Sequence, residues 1–176
     1  MMDTTRMSGT TPVPKGGQRA RGDMAAIEGA RFGHVNVTGL DWRILAAFYG
    51  DVFGCKPVPP ERDYRSADLD AATNLAGAHL TGAHLQLPGH GPTGPTIEIY
   101  QYDEMVDGAP PRVNRPGWGH IAFQVPDVES AVDAVVAHGG ARFGTVVTLQ
   151  TSDGRRVTWC YAQDPAGNLI ELQAWS

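Results

Sequence analysis

The chain has 176 residues, of which 41% are hydrophobic, and a formal net charge of −5. This length suffices for one well-buried domain or for two small fused repeats. An acidic chain without a basic block excludes a nucleic-acid footprint and argues against binding to an anionic membrane surface. No apolar run is long enough to span a membrane. Two cysteines, Cys55 and Cys160, are expected to be buried free thiols, so we predict a soluble cytoplasmic protein.

The first 28 residues are rich in Gly, Pro, Thr and Arg. They lack the apolar segment that a secretory signal needs, so we predict a flexible tail over 1–28.

A first run of elements is predicted from residue 29 to residue 104. Residues 32–38 alternate with the period of a half-buried strand. Asp41 can cap a helix that ends at Gly54, where a left-handed cap is expected. The remaining elements of this run are a short strand over 55–58, a loop over 59–70, a helical turn near 67–75, and strands over 79–87 and 96–102.

The same order then repeats after a linker over 105–117. Residues 118–125 form the opening strand, and Asp127 caps a helix that ends at Gly139. Three more strands are predicted, over 141–148, 156–163 and 168–175. The sequence therefore predicts two βαβββ modules, residues 29–104 and 118–176.

Each module offers one histidine and one glutamate in the same order. The first pair is His34 and Glu98, 98 − 34 = 64 residues apart, and the second is His120 and Glu171, 171 − 120 = 51 apart. Two extra loops can absorb the difference. Imidazole and carboxylate are ordinary ligands of divalent transition metals, so two half-sites could serve one ion.

Strand alternation places all four of these residues opposite the aliphatic faces of their strands. A lone histidine or glutamate on a strand is more often structural than a ligand, but four in repeated order favour a metal site. The same faces carry four further residues that we predict to line the substrate cavity: Asn36, Tyr100, Trp118 and Gln124.

The modules open with Gly-His and the second closes with Asp-Pro-Ala-Gly-Asn-Leu-Ile-Glu-Leu. In these features residues 31–176 resemble the vicinal oxygen chelate superfamily, which includes glyoxalase I, methylmalonyl-CoA epimerase, extradiol dioxygenases and antibiotic-resistance proteins. The resemblance implies an α+β fold in which two βαβββ modules form a cupped mixed sheet around one divalent metal ion. The implied metal ligands are His34, Glu98, His120 and Glu171. A homodimer that binds a small molecule is also implied.

The ligand order His, Glu, His, Glu resembles bacterial glyoxalase I of the nickel or cobalt kind. The ion could be Ni, Co, Zn, Mn or Fe, because ligand type alone does not choose. The resemblance implies a lyase, isomerase or epimerase that moves a proton beside a carbonyl, with the metal stabilising the developing enediolate. Glu171 or Glu98 would be the base, with Glu171 preferred.

Two alternatives stay open. One is an iron-dependent, extradiol-type dioxygenase using His34, His120 and Glu171, although Glu98 would occupy a position that oxygen chemistry needs. The other is a non-catalytic antibiotic-binding protein with an aromatic groove. Two further histidines, His79 and His84, fall outside the ligand pattern. They lie in the third predicted strand and could reach the cavity, although we expect them at the surface.

Overall fold

The computed structural model describes residues 26–176, so the predicted tail lies outside the described residues except for its last three positions. In the first module the strands are β1 (His34–Thr38), β2 (Lys56–Tyr64), β3 (Leu80–Gln86) and β4 (Thr96–Tyr102), and the helices are α1 (Trp42–Phe53) and α2 (Ala67–Thr73). In the second module the strands are β5 (Ile121–Gln124), β6 (Ala141–Arg142), β7 (Val147–Gln150), β8 (Arg156–Gln163) and β9 (Leu169–Trp175), and the helix is α3 (Val128–Ala137).

Helix α1 begins and ends where the sequence predicts. The Asp41 carboxylate accepts hydrogen bonds from the backbone N–H groups of Arg43 and Ile44, at 2.9 and 3.3 Å. These bonds satisfy donors that the first turn of a helix leaves free. At the other end Gly54 has φ 72°, a left-handed conformation that a side chain would disfavour. Asp127 caps α3 in the same way, through the N–H of Ser130 at 2.7 Å.

The predicted loop over 59–70 is wrong in its first part, because β2 continues through Pro59 and Pro60 to Tyr64. Strand β2 is at the edge of its sheet, and within residues 26–176 it pairs only with β3. An edge strand tolerates proline because its outward N–H groups have no partner to lose. A shift in register between Val58 and Arg62 accommodates the two prolines.

Two strand predictions in the second module also need correction. The predicted 118–125 strand is shorter in the structure: β5 is Ile121–Gln124, because its partner β9 begins at Leu169, after the turn over 164–168. The predicted strand over 141–148 is instead two short strands, β6 and β7, which both pair with β8.

The strands form two mixed sheets, and the predicted α+β class is confirmed. The order is β1-β4-β3-β2 in the first sheet and β5-β9-β8-β6 in the second, where β7 also pairs with β8. The pairs β1–β4 and β5–β9 are parallel, and all other pairs are antiparallel. Within the described part of the chain no hydrogen-bonded strand pair joins the two sheets.

One hydrophobic core extends through both modules. The aliphatic faces of β4 and β9 are fully buried in it, at Ile97, Ile99, Ile170 and Leu172. Phe53 of α1 stacks on Phe123 of β5 with their ring centroids 3.9 Å apart. The predicted division of faces is therefore correct, and the ligand-bearing faces point away from the packed helices.

No helix within residues 26–176 is both long and apolar enough to cross a membrane. Both cysteines are free and buried, and burial raises the pKa of the Cys55 thiol to about 11.

Candidate functional site

The two modules hold their histidine and glutamate at equivalent places in the strand register. Glu98 lies directly opposite Asn36 on the parallel strand β1, two residues after His34. Glu171 lies directly opposite Ala122 on β5, two residues after His120. Side chains two residues apart on a strand share a face, so each histidine is diagonal to its glutamate on one side of the sheet. The repeated pattern seen in the sequence is thus repeated in three dimensions.

Each histidine is in contact with the glutamate of its own module. The Nε2 atom of His34 lies 3.5 Å from Oε2 of Glu98, and Nε2 of His120 lies 3.2 Å from Oε2 of Glu171. The glutamates are largely buried, with 14% and 19% of their side-chain surface exposed, whereas the histidines are 49% and 32% exposed. Each half-site therefore has a sheltered carboxylate and an imidazole open to solvent.

A cavity of about 120 Å³ is lined by residues of both modules; of the four predicted ligands His120 borders it, whereas His34, Glu98 and Glu171 do not. Asn36 lines it from the first module, and Trp118 and His120 line it from the second. Among residues 26–176, however, no group of three or more His, Cys, Asp or Glu side chains is arranged to hold a metal ion. The structure thus brings the four predicted ligands together as two pairs. A single metal site that uses all four of them stays a prediction.

The donor atoms of the two pairs are of the types that bind divalent transition metals. Imidazole nitrogens and carboxylate oxygens are ligands that Ni, Co, Zn, Mn and Fe all accept. A metal also needs polar groups behind its ligands to orient them. Both glutamates have such neighbours.

Glu98 is surrounded by hydrogen-bond donors from two strands. The Asn36 amide donates to Oε2 of Glu98 at 3.1 Å, and the Thr38 hydroxyl donates to the Asn36 side-chain oxygen at 3.0 Å. Asn36, predicted as a substrate-cavity residue, is therefore also a direct neighbour of a candidate ligand.

His84 belongs to this half-site, so its expected surface position is wrong. It lies directly opposite Glu98 on β3, and only 17% of its side chain is exposed. Its Nε2 atom is 2.9 Å from Oε1 of Glu98 and 3.2 Å from the Tyr100 hydroxyl. Burial is the main influence on its pKa and lowers it. The sequence does contain a signal for this position of His84. The turn between β3 and β4 sets which residues of the hairpin face each other, and it places His84 opposite Glu98.

Tyr100 is buried on the same face as Glu98, as the predicted strand alternation requires. Burial, followed by a hydrogen bond to Glu98, raises the pKa of its hydroxyl well above the usual value. The group is a neutral hydrogen-bond donor over the whole physiological range.

In the second module Tyr161 takes the place that His84 has in the first, because it lies directly opposite Glu171. Burial, followed by the nearby charge of Glu171, raises the pKa of its hydroxyl. Its ring centroid is 5.1 Å from that of His120. The residue across the hairpin from the glutamate thus carries a polar group in both modules, an imidazole in the first and a phenol in the second.

The other two predicted cavity residues differ in position. Trp118 borders the shared cavity but is 75% exposed. Gln124, at the end of β5, instead lines a separate hollow of about 330 Å³ with Gln173 and Trp175. The structure does not bring Gln124 together with His120 in one cavity.

A larger cavity, of about 720 Å³, lies between α1 and strands β2 and β3. It is lined by aliphatic-face residues such as Ala83 and Leu85, and none of the four predicted ligands borders it. It is therefore on the wrong side of the sheet for chemistry at His34 or Glu98.

Comparison with known proteins gives one family. The family model described as the Glyoxalase/Bleomycin resistance protein/Dioxygenase superfamily matches residues 31–172. No curated protein sequence matches the chain.

Several solved structures are similar. A glyoxalase family protein from Bacillus cereus is 20% identical with a TM-score of 0.71, over 87% of this chain and 99% of that chain. An integron cassette protein from the mobile metagenome of V. cholerae is 24% identical with a TM-score of 0.50, over 86% of this chain and 100% of that one. The fosfomycin resistance protein FosX from Listeria monocytogenes, solved with Mn(II) and sulfate, is 18% identical with a TM-score of 0.45, over 84% and 93%. The likeness to the first two structures shows a shared fold, and at 20% and 24% identity it does not identify an activity.

Proposed function

Because the chain belongs to the Glyoxalase/Bleomycin resistance protein/Dioxygenase superfamily, we propose that it is a divalent-metal-dependent enzyme of the glyoxalase I or epimerase type. The proposed reaction moves a proton at a carbon next to a carbonyl in a small-molecule substrate. One observation carries this proposal. Both modules place a histidine Nε2 beside a sheltered glutamate at equivalent register positions, with contacts of 3.5 and 3.2 Å.

In this proposal His34, Glu98, His120 and Glu171 would hold the ion. A bound dication acts as a Lewis acid toward the substrate oxygens and offsets the charge that develops when a proton leaves. The donor set here admits Ni, Co, Zn, Mn or Fe.

The residues of the chain have distinct roles in the proposed reaction. Glu171 removes the proton at a carboxylate oxygen and returns it, while the Tyr161 hydroxyl and the His120 ring lie against its side chain. Glu98 is the second carboxylate. Asn36 and Trp118 border the cavity that His120 lines, and in this proposal they contact the substrate there.

The test starts with metal-free protein loaded separately with each of the five ions. Bound metal per chain is measured by mass spectrometry, and exchange of the substrate C–H for deuterium is followed by NMR in D₂O. The substrates are a panel of small α-hydroxycarbonyl compounds and thioesters. We expect about one bound ion for each set of His34, Glu98, His120 and Glu171. We also expect deuterium exchange of the substrate to require the metal. Stable binding of less than half an ion per chain, or exchange that persists after chelation, would contradict the proposal.

The same samples examine the two alternatives. An iron-loaded dioxygenase would consume oxygen with a catechol. Glu98, which contacts His34 at 3.5 Å, argues against it, because as a fourth protein ligand it would take a position that oxygen chemistry needs open. A non-catalytic binder would hold an aromatic antibiotic without metal. The exposed Trp118 and Trp175, at 75% and 41%, are the feature that favours this second alternative. Quenching of tryptophan fluorescence in the metal-free protein measures such binding.

We further propose that the protein is a cytoplasmic homodimer. Two buried free thiols agree with a reducing compartment. Sedimentation velocity at micromolar protein concentration tests the dimer.

A further inference from the structure

The two glutamates occupy equivalent positions but have unequal neighbours on the adjacent parallel strand. The residue opposite Glu98 is Asn36, whose amide donates a hydrogen bond to Oε2 at 3.1 Å. The residue opposite Glu171 is Ala122, which has only a methyl group. The first glutamate therefore has a donor on this side, and the second does not.

The neighbours on the antiparallel side differ as well. His84 faces Glu98 with Nε2 at 2.9 Å from Oε1. A carboxylate oxygen can only accept, so Nε2 carries the proton, and Nδ1 is left to accept from the Thr96 hydroxyl at 3.3 Å. These two bonds fix the orientation of the His84 ring. In the second module the equivalent residue is Tyr161.

Both oxygens of Glu98 are thus held by donors on opposite sides, His84 at Oε1 and Asn36 at Oε2. Rotation of this carboxylate breaks two hydrogen bonds at once. Glu171 has the Tyr161 hydroxyl and the His120 ring as neighbours, and the position across the parallel strand offers no donor. Its carboxylate can turn at a smaller cost.

We propose that His84 is a positioning residue that, with Asn36, holds Glu98 in one orientation toward the metal, and that Glu171 is the carboxylate left free to exchange a proton. This inference rests on the proposed function. We assign His84 a positioning role and not a ligand role because both of its ring nitrogens already have partners, Nε2 in Glu98 at 2.9 Å and Nδ1 in the Thr96 hydroxyl at 3.3 Å.

The main test compares the Co(II) affinity of the wild-type chain with that of two variants, His84→Leu and His84→Gln. Leucine removes the donor, whereas the glutamine amide can replace it. Loss of a group that orients a metal ligand typically weakens binding about 10- to 100-fold. We expect that loss in His84→Leu, with the visible Co(II) absorption bands altered, and recovery to within about threefold in His84→Gln.

A matched control uses His79→Leu, which also removes a histidine that contacts carboxylates, just before the same strand. Its Co(II) affinity should equal that of the wild type. Thermal unfolding of each metal-free variant confirms that it is folded. If His84→Leu does not fold, His84→Ala replaces it, because a methyl group offers no donor to Glu98.

A reciprocal variant, Ala122→Asn, gives Glu171 the donor that Glu98 has. Ala122 is exposed, so the larger side chain can be accommodated. We expect proton exchange to slow by about tenfold, since one added hydrogen bond now opposes movement of Glu171, while Co(II) affinity is kept.

The outcomes separate the two proposals. If the wild-type chain does not bind Co(II), the proposed function fails. If it binds Co(II) but His84→Leu binds equally well, or His84→Gln does not recover, the positioning role is wrong. A loss in both His84 variants as complete as in His34→Ala would make His84 a ligand and would also overturn the inference.

Discussion

At the level of single residues, the proposed chemistry depends most on Glu171. Its side chain is 19% exposed and lies against His120 and Tyr161. A carboxylate that is sheltered from solvent but not held by several hydrogen bonds can move toward a substrate C–H group to remove a proton and move back afterwards.

We expect Glu171→Gln to slow deuterium exchange by roughly 10²- to 10⁴-fold, the usual contribution of a general base. The amide has nearly the same shape, so the contact with His120 should persist and bound Co(II) should remain detectable. Comparing exchange with Co(II) content in the same sample measures both effects. Wild-type exchange in this variant would remove Glu171 from the mechanism.

At the level of elements, strand β3 must lie very close to β4. A Cβ atom at Gly82 would overlap the Ile99 carbonyl oxygen and the Tyr100 ring. Glycine is needed here for the close approach of two backbones and not for an unusual backbone angle.

Gly82→Ala should therefore destabilise the fold by about 1–3 kcal/mol, as overpacking in a well-packed region does. It should also displace Tyr100, whose hydroxyl lies 3.2 Å from Nε2 of His84. Urea unfolding measures the first effect. Gly91→Ala is the control, because a Cβ there meets nothing within 4 Å. Equal stability of the two variants would contradict the expectation.

At one end of the first sheet, His79 connects two strands through contacts with two carboxylates. Nε2 of His79 lies 2.8 Å from Asp63 on β2, and Nδ1 lies 2.9 Å from Asp103, just after β4. The hydrogen bond to Asp63, followed by the one to Asp103, raises the pKa of His79, although Arg65 nearby acts against it. The bond to His79 in turn lowers the pKa of Asp103.

A histidine whose pKa is raised in the folded state stabilises that state below its unfolded pKa of about 6.5, and this stabilisation is lost as the pH rises through the folded value. We therefore expect His79→Gln to reduce stability more at pH 5.5 than at pH 8.5. Urea unfolding at both pH values tests this. The control is His90→Gln, at an exposed histidine. If His79→Gln lost the same amount of stability at both pH values, the expectation would be wrong.

At the level of the whole molecule, the two modules are held together by a buried hydrogen bond. The fully buried Tyr49 of α1 donates to the Asp164 carboxylate at 3.0 Å, in the turn between β8 and β9. The same carboxylate accepts from the backbone N–H groups of Ala166 and Asn168, both at 2.9 Å.

Tyr49→Phe should cost about 1–3 kcal/mol, because a buried carboxylate loses one of its donors. Unfolding should remain a single transition, since one core extends through both modules. Far-UV and near-UV circular dichroism should follow the same urea curve. Tyr64→Phe, at a residue 48% exposed, is the control. Separate transitions for the two signals would show that the modules unfold independently.

Local patterns were enough to predict much of this fold. Helix ends at Asp41 and Gly54, and the sorting of Ile97 and Glu98 to opposite faces, depend on neighbours within a few residues. The paired histidines and glutamates could be found in the same way, because a repeated order along the chain survives without knowledge of the folded contacts.

Other features depend on contacts between distant segments. The prolines of β2 are strand residues because the strand lies at an edge, and His84 is a site residue because hairpin register sets it against Glu98. The contrast between Asn36 and Ala122, which makes the two glutamates unequal, exists only once each parallel pair has formed. Periodicity along a strand is local and can be read from the amino-acid order. Register between strands is a non-local property that only the folded chain defines.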